Sequence, residues 1–88
     1  MDFNRAKLSY LSGDYELARQ NFLPLARAGH AESQYALGYM LFYGQGGEMD
    51  LEQAHVWMQM AAEQGNPRAF RAIARINQAR QRLVDSPD

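Results

Sequence analysis

Cysteine and threonine are both absent from the 88-residue sequence. The absence of cysteine excludes disulfides and thiolate metal sites. β-branched residues are scarce, because the chain holds only two valines and two isoleucines, whereas alanine occurs thirteen times. Strands favour β-branched residues and helices favour alanine, so this balance excludes a sheet-based fold and predicts an all-α domain.

Long apolar segments and an excess of one charge are missing as well. The longest uncharged apolar run is Tyr35–Tyr43, nine residues, whereas a membrane-spanning helix needs about 20. The N-terminus contains no apolar stretch of the kind found in signal peptides, which predicts a cytoplasmic protein without membrane insertion. Nine basic and ten acidic residues give a net charge of −1, and this near neutrality argues against nucleic acid as a partner.

The distribution of glycine, proline and capping residues divides the chain into five helical segments. They are predicted at residues 2–11, 14–28, 31–43, 50–64 and 67–84, followed by a frayed tail at 85–88. Gly29 and Gly65 follow alanine-rich stretches and suit the end of a helix. Asn66 followed by Pro67 suits the start of the next helix. A chain of this length forms one domain.

The sequence repeats itself with a period of 36 residues. Identical residues coincide at four pairs of positions, which are Asp14 and Asp50, Ala18 and Ala54, Ala26 and Ala62, and Gly29 and Gly65. In the same register Leu37 falls on Ile73, and Gly38 falls on Ala74. A period of this length is typical of solenoids built from pairs of helices, since one pair cannot bury its apolar face alone.

Residues 31–65 carry a series of anchors in a characteristic order. These are Ala36-Leu37-Gly38, Gly44-Gln45-Gly46, Asp50, Ala54, Trp57 and Ala61-Ala62-Glu63-Gln64-Gly65. The segment resembles the Sel-one-like repeat, a relative of the tetratricopeptide repeat. The first thirty residues are similar to the tetratricopeptide form, through Gly13-Asp14-Tyr15-Glu16, Ala18, Phe22 and Ala26.

The resemblance implies an α–α superhelix, a right-handed stack of antiparallel helix pairs. Repeat one would occupy residues 1–29, repeat two residues 30–65, and a capping helix residues 66–84. The family is a protein-interaction scaffold, so the resemblance also implies no catalysis and no cofactor.

Candidates for catalysis or metal binding are few. Glu52 and His55 have the spacing of a carboxylate–histidine pair on one helix face, but a di-iron bundle needs a second copy and two more glutamates. The glycines at 44–47 are not followed by Gly-Lys-Ser/Thr, which excludes a P-loop. Trp57 aligns with a stripe of alanines and is predicted to lie in the core. We therefore predict no enzyme activity and no metal.

The last predicted helix concentrates the positive charge. Residues 1–66 have a net charge of −4, whereas residues 67–84 hold five arginines and no acid. One face carries Phe70, Ile73, Ile76, Leu83 and Val84, which we expect to seal the stack. The opposite face carries Arg68, Arg71, Arg75 and Arg82.

The repeat register predicts that these arginines lie beside an aromatic stripe. Tyr35 falls on Arg71 and Tyr39 on Arg75, and equivalent positions in stacked repeats face the same way. In the family this surface is the concave side, so the resemblance implies a groove. Its predicted residues are Phe3, Lys7, Tyr10, Tyr35, Tyr39, Phe42, Arg68, Arg71 and Arg75.

Three interpretations of this groove are open. Aromatic rings and arginines suit a segment of a partner protein that is acidic or carries a carboxylate. Alternatively, the same aromatic surface pairs with a second copy and forms a homodimer. In the third interpretation the arginines merely stack on the tyrosines of an empty groove.

Overall fold

The computed structural model describes residues 2–85, and within that range it consists of five α-helices and no strand. The helices are α1 (Phe3–Leu11), α2 (Tyr15–Arg27), α3 (Ala31–Tyr43), α4 (Leu51–Glu63) and α5 (Pro67–Asp85). The predicted all-α fold is confirmed, and the predicted boundaries are right to within one residue. Asp85, predicted as part of the frayed tail, is the last residue of α5, and residues 86–88 of that tail lie outside the described residues.

Each helix is preceded by a residue whose side chain accepts a hydrogen bond from a first-turn backbone N–H. The acceptors are Asp2, Asp14, His30, Asp50 and Asn66, and the donors belong to Arg5, Leu17, Ser33, Gln53 and Ala69, at 2.8 to 3.3 Å. Such a cap stabilises a helix by about 0.5–2 kcal/mol. The helix starts are therefore encoded locally, and His30 has a capping role.

The helices pack in chain order, so that each contacts the next, and α3 also touches α5. The result is an elongated helical-repeat superhelix with extents of 44 × 27 × 18 Å. None of the helices described between residues 2 and 85 combines the length and apolar character needed to cross a membrane.

Two clusters of buried residues form the core. The larger one joins α2, α3, α4 and α5 through Ala26, Leu37, Leu41, Ala54, Met58, Ala61, Ala62, Ala69 and Ile76. The smaller one joins α1, α2 and α3 through Ala6, Ala18, Phe22 and Met40. Alanines let the helices approach closely, while Phe22 and Met58 fill the space between them. Trp57, predicted as core, is half-buried and packs against the larger cluster.

A chain of amide hydrogen bonds connects the two helix pairs. Gln34 is 1% exposed, and its side-chain nitrogen donates to the Ala26 carbonyl at 3.1 Å. The Gln64 side-chain nitrogen donates to the Gln34 side-chain oxygen and to the Gly29 carbonyl, both at 2.9 Å. Because buried polar groups must be paired, this arrangement fixes α4 relative to the α2–α3 turn.

Candidate functional site

A groove of about 630 Å³ crosses α3 between α1 and the start of α5. We call it the aromatic groove. Its lining consists of Phe3, Lys7, Tyr10, Leu11, Phe22, Glu32, Tyr35, Ala36, Tyr39, Asn66, Pro67 and Arg68. Six of the nine residues predicted for the groove are in this lining.

A second recess of about 320 Å³ lies between α3 and α5. We call it the arginine cleft. It is lined by Tyr35, Tyr39, Phe42, Tyr43, Met58, Arg68, Arg71, Ala72, Arg75 and Ile76. The recess shares Tyr35, Tyr39 and Arg68 with the aromatic groove, so the two form one continuous surface. All nine predicted residues line this surface.

The α1 end of the aromatic groove is organised around Phe3. The centroid of its ring lies 5.8 Å from that of Phe22 and 4.9 Å from that of the His30 imidazole. The Lys7 ammonium lies 5.5 Å from the Phe3 centroid. These contacts hold α1 against α2 and the N-cap residue of α3 and leave one cation at this end.

A row of tyrosines follows α3, because side chains four residues apart share a helix face. The ring centroids of Tyr35 and Tyr39 are 6.2 Å apart, and those of Tyr39 and Tyr43 are 4.7 Å apart. Burial raises the pKa of the Tyr39 hydroxyl, and the hydroxyls of Tyr10, Tyr43 and Tyr35 raise it further, whereas the charge of Arg75 lowers it. The Tyr39 hydroxyl therefore stays protonated and remains a donor at neutral pH.

The arginines lie beside the tyrosine row. The Arg68 guanidinium is 5.9 Å from the Tyr35 centroid, and Arg75 donates to the Tyr43 hydroxyl at 3.5 Å. The repeat register sets Arg71 beside Tyr35 and Arg75 beside Tyr39, and these four residues do line the same cleft. The two direct contacts, however, join Tyr35 to Arg68 and Tyr43 to Arg75.

Arg19 of α2 holds the loop between α3 and α4, a role that the sequence analysis did not predict. Its guanidinium donates to the carbonyl oxygens of Met40 at 3.2 Å and of Gln45 at 2.8 and 3.0 Å. The Tyr10 hydroxyl donates to the Gln45 side chain at 3.0 Å, which connects the groove wall to this loop. No spacing in the sequence signals these contacts, since Arg19 and Gln45 meet only through the packing of α2 on α3.

The predicted apolar face of α5 is buried only in its central part. Ile76 is 1% exposed and Ile73 is half-buried, but Phe70, Leu83 and Val84 are 66%, 66% and 78% exposed. The prediction that the whole face seals the stack is therefore wrong. Phe70 lies about 120° around the helix from Ile76. Leu83 and Val84 line an open recess with Met49 and the start of α4 and stay largely exposed there.

The other candidate residues have structural explanations. Glu52 forms an ion pair with Arg80 at 3.0 Å, and His55 is half-buried. Gly46 has φ of 78°, and a Cβ there would collide with the Tyr15 backbone, so this loop glycine serves close packing. Among residues 2–85, no three histidine or acidic side chains are grouped so as to hold a metal ion.

The stacked helix pairs and the open groove define a helical-repeat interaction protein. The chain belongs to the Sel1 repeat family, whose model matches residues 6–30 and 31–66, one match per helix pair. The first match also covers the pair that resembles the tetratricopeptide form. Repeats of this family generally mediate protein–protein interactions and are non-catalytic.

A relative from Schizosaccharomyces pombe, "Chitin synthase regulatory factor 3", is 36% identical to this chain over 84 residues. The similarity covers 82% of this chain and 9% of that protein. The chain therefore spans less than a tenth of the relative's length. No solved structure matches the chain.

Proposed function

We propose that the chain is a non-catalytic adaptor that binds a segment of a partner protein along the aromatic groove, with an acidic or carboxylate-bearing part of that segment in the arginine cleft. The observation that carries this proposal is the continuous surface on which Arg68, Arg71 and Arg75 meet Tyr35 and Tyr39. A cytoplasmic location, inferred from the N-terminal sequence, stays a prediction.

The chemistry of the surface supports an extended ligand. Aromatic rings contribute large contact areas at low entropic cost, and tyrosine and arginine are enriched among residues that dominate binding energy. The guanidinium groups can each bind a carboxylate through two parallel hydrogen bonds. The surface therefore has aromatic rings and one cation, Lys7, at the α1 end and three arginines at the α5 end, and this asymmetry gives a bound segment one preferred direction.

The double variant Arg71→Glu/Arg75→Glu tests the proposal. Both side chains are exposed, so we expect near-normal helicity and melting. A labelled acidic peptide, selected from a library on the wild-type protein, should bind the variant at least tenfold more weakly, about 1.4 kcal/mol. The control Arg5→Glu/Arg82→Glu makes the same charge change at exposed residues outside both linings and should bind like the wild type.

A second variant separates the contribution of charge to binding from the contribution of contact area. Tyr39→Ala should also weaken binding, but the loss should not depend on salt, whereas the effect of the arginine variant should shrink as the salt concentration rises. Wild-type binding by the double arginine variant would contradict the proposal. The arginines would then be only the solvated side of a capping helix.

Self-assembly through the same aromatic surface is the alternative function. It is favoured by Tyr43, an aromatic residue of the cleft lining that is 48% exposed. Light scattering over a range of concentrations distinguishes the two functions. A monomer leaves the groove free for a partner, whereas a concentration-dependent dimer that Tyr39→Ala dissociates would favour self-assembly.

A further inference from the structure

Three positive charges are grouped in the arginine cleft, and Glu32 lies in the adjoining aromatic groove, which Arg68 also lines. Arg68, Arg71 and Arg75 line it, and no acidic side chain does. Among the described residues, the ion pair on α5 is formed by Arg80, which turns to Glu52 of α4 instead. Like charges three and four residues apart on a helix repel one another, so an anion in the cleft would remove a destabilising feature.

The hydrogen-bond donors of the cleft exceed what a single carboxylate can accept. Each guanidinium has five N–H donors, and the one contact from Arg75 to the Tyr43 hydroxyl is long, at 3.5 Å. Tyr35 and Tyr39, whose hydroxyls can also donate, line the same recess. A carboxylate has two oxygens and one charge, whereas a phosphomonoester has three terminal oxygens and close to two charges at pH 7.

The size of the recess also suits a phosphorylated side chain. Its volume of about 320 Å³ corresponds to about ten water molecules, which accommodates a phosphate group together with the atoms that carry it. The walls supply aromatic and apolar surface from Phe42, Met58 and Ile76 beneath the charged rim.

We propose that the arginine cleft binds a phosphomonoester dianion carried by a side chain of the partner segment. This inference rests on the proposed function of the aromatic groove, which would hold the residues that flank the phosphorylated one. A phosphorylated protein segment is favoured over a phospholipid headgroup, because the arginines line a recess and not a flat face. Residues 1–66 also carry a net charge of −4, which opposes an anionic bilayer.

Three small probes test the chemistry directly. Phenyl phosphate is a dianion, methyl phenyl phosphate has the same phosphorus centre with one negative charge, and phenylacetate is a carboxylate monoanion. In NMR titrations at pH 8, phenyl phosphate should bind at least tenfold more tightly than either monoanion. The shifted amide signals should belong to α3 and to the first half of α5.

Matched variants locate the binding. Arg71→Gln/Arg75→Gln should weaken phenyl phosphate binding at least tenfold while keeping wild-type helicity, and Arg75→Lys, which retains the charge but not the bidentate geometry, should weaken it several-fold. Arg82→Gln removes an exposed arginine of the same helix outside the cleft and should leave binding unchanged. Equal affinities for the three probes, or equal losses in Arg82→Gln, would overturn the assignment of a dianion to the cleft.

Peptides and vesicles then identify what carries the phosphate. Replacing one glutamate of the selected acidic peptide by phosphoserine should tighten binding at least tenfold, and vesicles containing phosphatidic acid should not compete. If the vesicles competed with the phosphoserine peptide at equal phosphate concentration, the assignment of a protein segment as the carrier would be overturned. If the glutamate peptide binds and phosphoserine adds nothing, this inference fails while the proposed function stands. If the library yields no acidic peptide that binds, and phosphoserine peptides do not bind either, both fail.

Discussion

Helices α3 and α5 occupy equivalent positions, 36 residues apart, but their corresponding side chains differ in burial. Gln34 of α3 is 1% exposed, whereas its equivalent Phe70 of α5 is 66% exposed. Gly38 is buried against α4, while its equivalent Ala74 is exposed. The cause is the next helix, since α4 covers α3 and no described helix follows α5. Gln34 is polar but buried, and Phe70 is apolar but exposed. At this repeat position the presence of a covering helix, and not the hydrophobicity of the residue, therefore sets burial.

The groove side of the same two helices differs in charge. The tyrosine row of α3 lies between α1 and α5, and burial there raises the pKa of Tyr39. The equivalent residue of α5 is Arg75, which is exposed. A charge is tolerated at the outer position because it stays hydrated, whereas the same charge in the middle of the groove would lose much of its hydration.

The largest expected effect is on the free energy of unfolding when the covered face of α3 is truncated. Leu37 is 3% exposed, so Leu37→Ala should cost about 2–5 kcal/mol through lost burial and a cavity. Phe70→Ala removes a larger side chain from the open face of α5 and should change stability by less than about 0.5 kcal/mol. Urea denaturation of the two variants measures the difference. Equal losses would mean that α5 is covered in solution.

Larger side chains at buried positions of α3 and α4 should also lower the free energy of unfolding, but by less than the truncation of Leu37. A Cβ on Gly38 would lie 3.0 Å from Met58 Cγ and 3.2 Å from the Ala54 carbonyl oxygen. Gly38→Leu and Ala62→Leu should therefore each destabilise the domain by about 1–3 kcal/mol, whereas Ala74→Leu should stay within about 0.5 kcal/mol of the wild type. Thermal unfolding followed by circular dichroism tests all three. Unchanged melting of the first two would show that α3 and α4 are not tightly packed.

The smallest expected effect is on how the free energy of unfolding falls at alkaline pH. Because the folded-state pKa of Tyr39 is raised, the folded protein holds this proton more tightly than the unfolded chain does. The resulting stabilisation is fully present below the unfolded-state pKa, about 10, and is lost as pH rises through the folded-state pKa. Tyr39→Phe should thus show a shallower fall in unfolding free energy above pH 10. Identical slopes for the variant and the wild type would contradict the predicted coupling.

The helices and the groove composition were predictable because their signals are local or repeated. Asp50 and Asn66 precede helices and cap them, which involves residues only three positions apart. The period of 36 residues then assigns equivalent positions to one side of the stack. This symmetry places the tyrosines of α3 and the arginines of α5 on one side without knowledge of any contact. Phe3, Lys7 and Tyr10 of α1 join them when Ala6 is aligned with Gly38, and the family resemblance implies that this side is a groove.

The individual contacts were not predictable in the same way. Arg68 lies over Tyr35, and which arginine reaches which ring depends on how α3 and α5 pack and on the conformation of long side chains. The bond between Gln34 and Gln64 joins residues 30 positions apart. Neither residue has a partner until the helices are stacked.

The sequence by itself determined five helices, their boundaries and the repeat that stacks them, since capping and apolar periodicity act over a few residues. It also determined that tyrosines and arginines would face the same side. Only the tertiary structure decided that Arg19 would bind the loop after α3 and that Phe70 would remain exposed. Those outcomes depend on which helix surfaces meet, and burial is a property of two surfaces in contact and not of one residue.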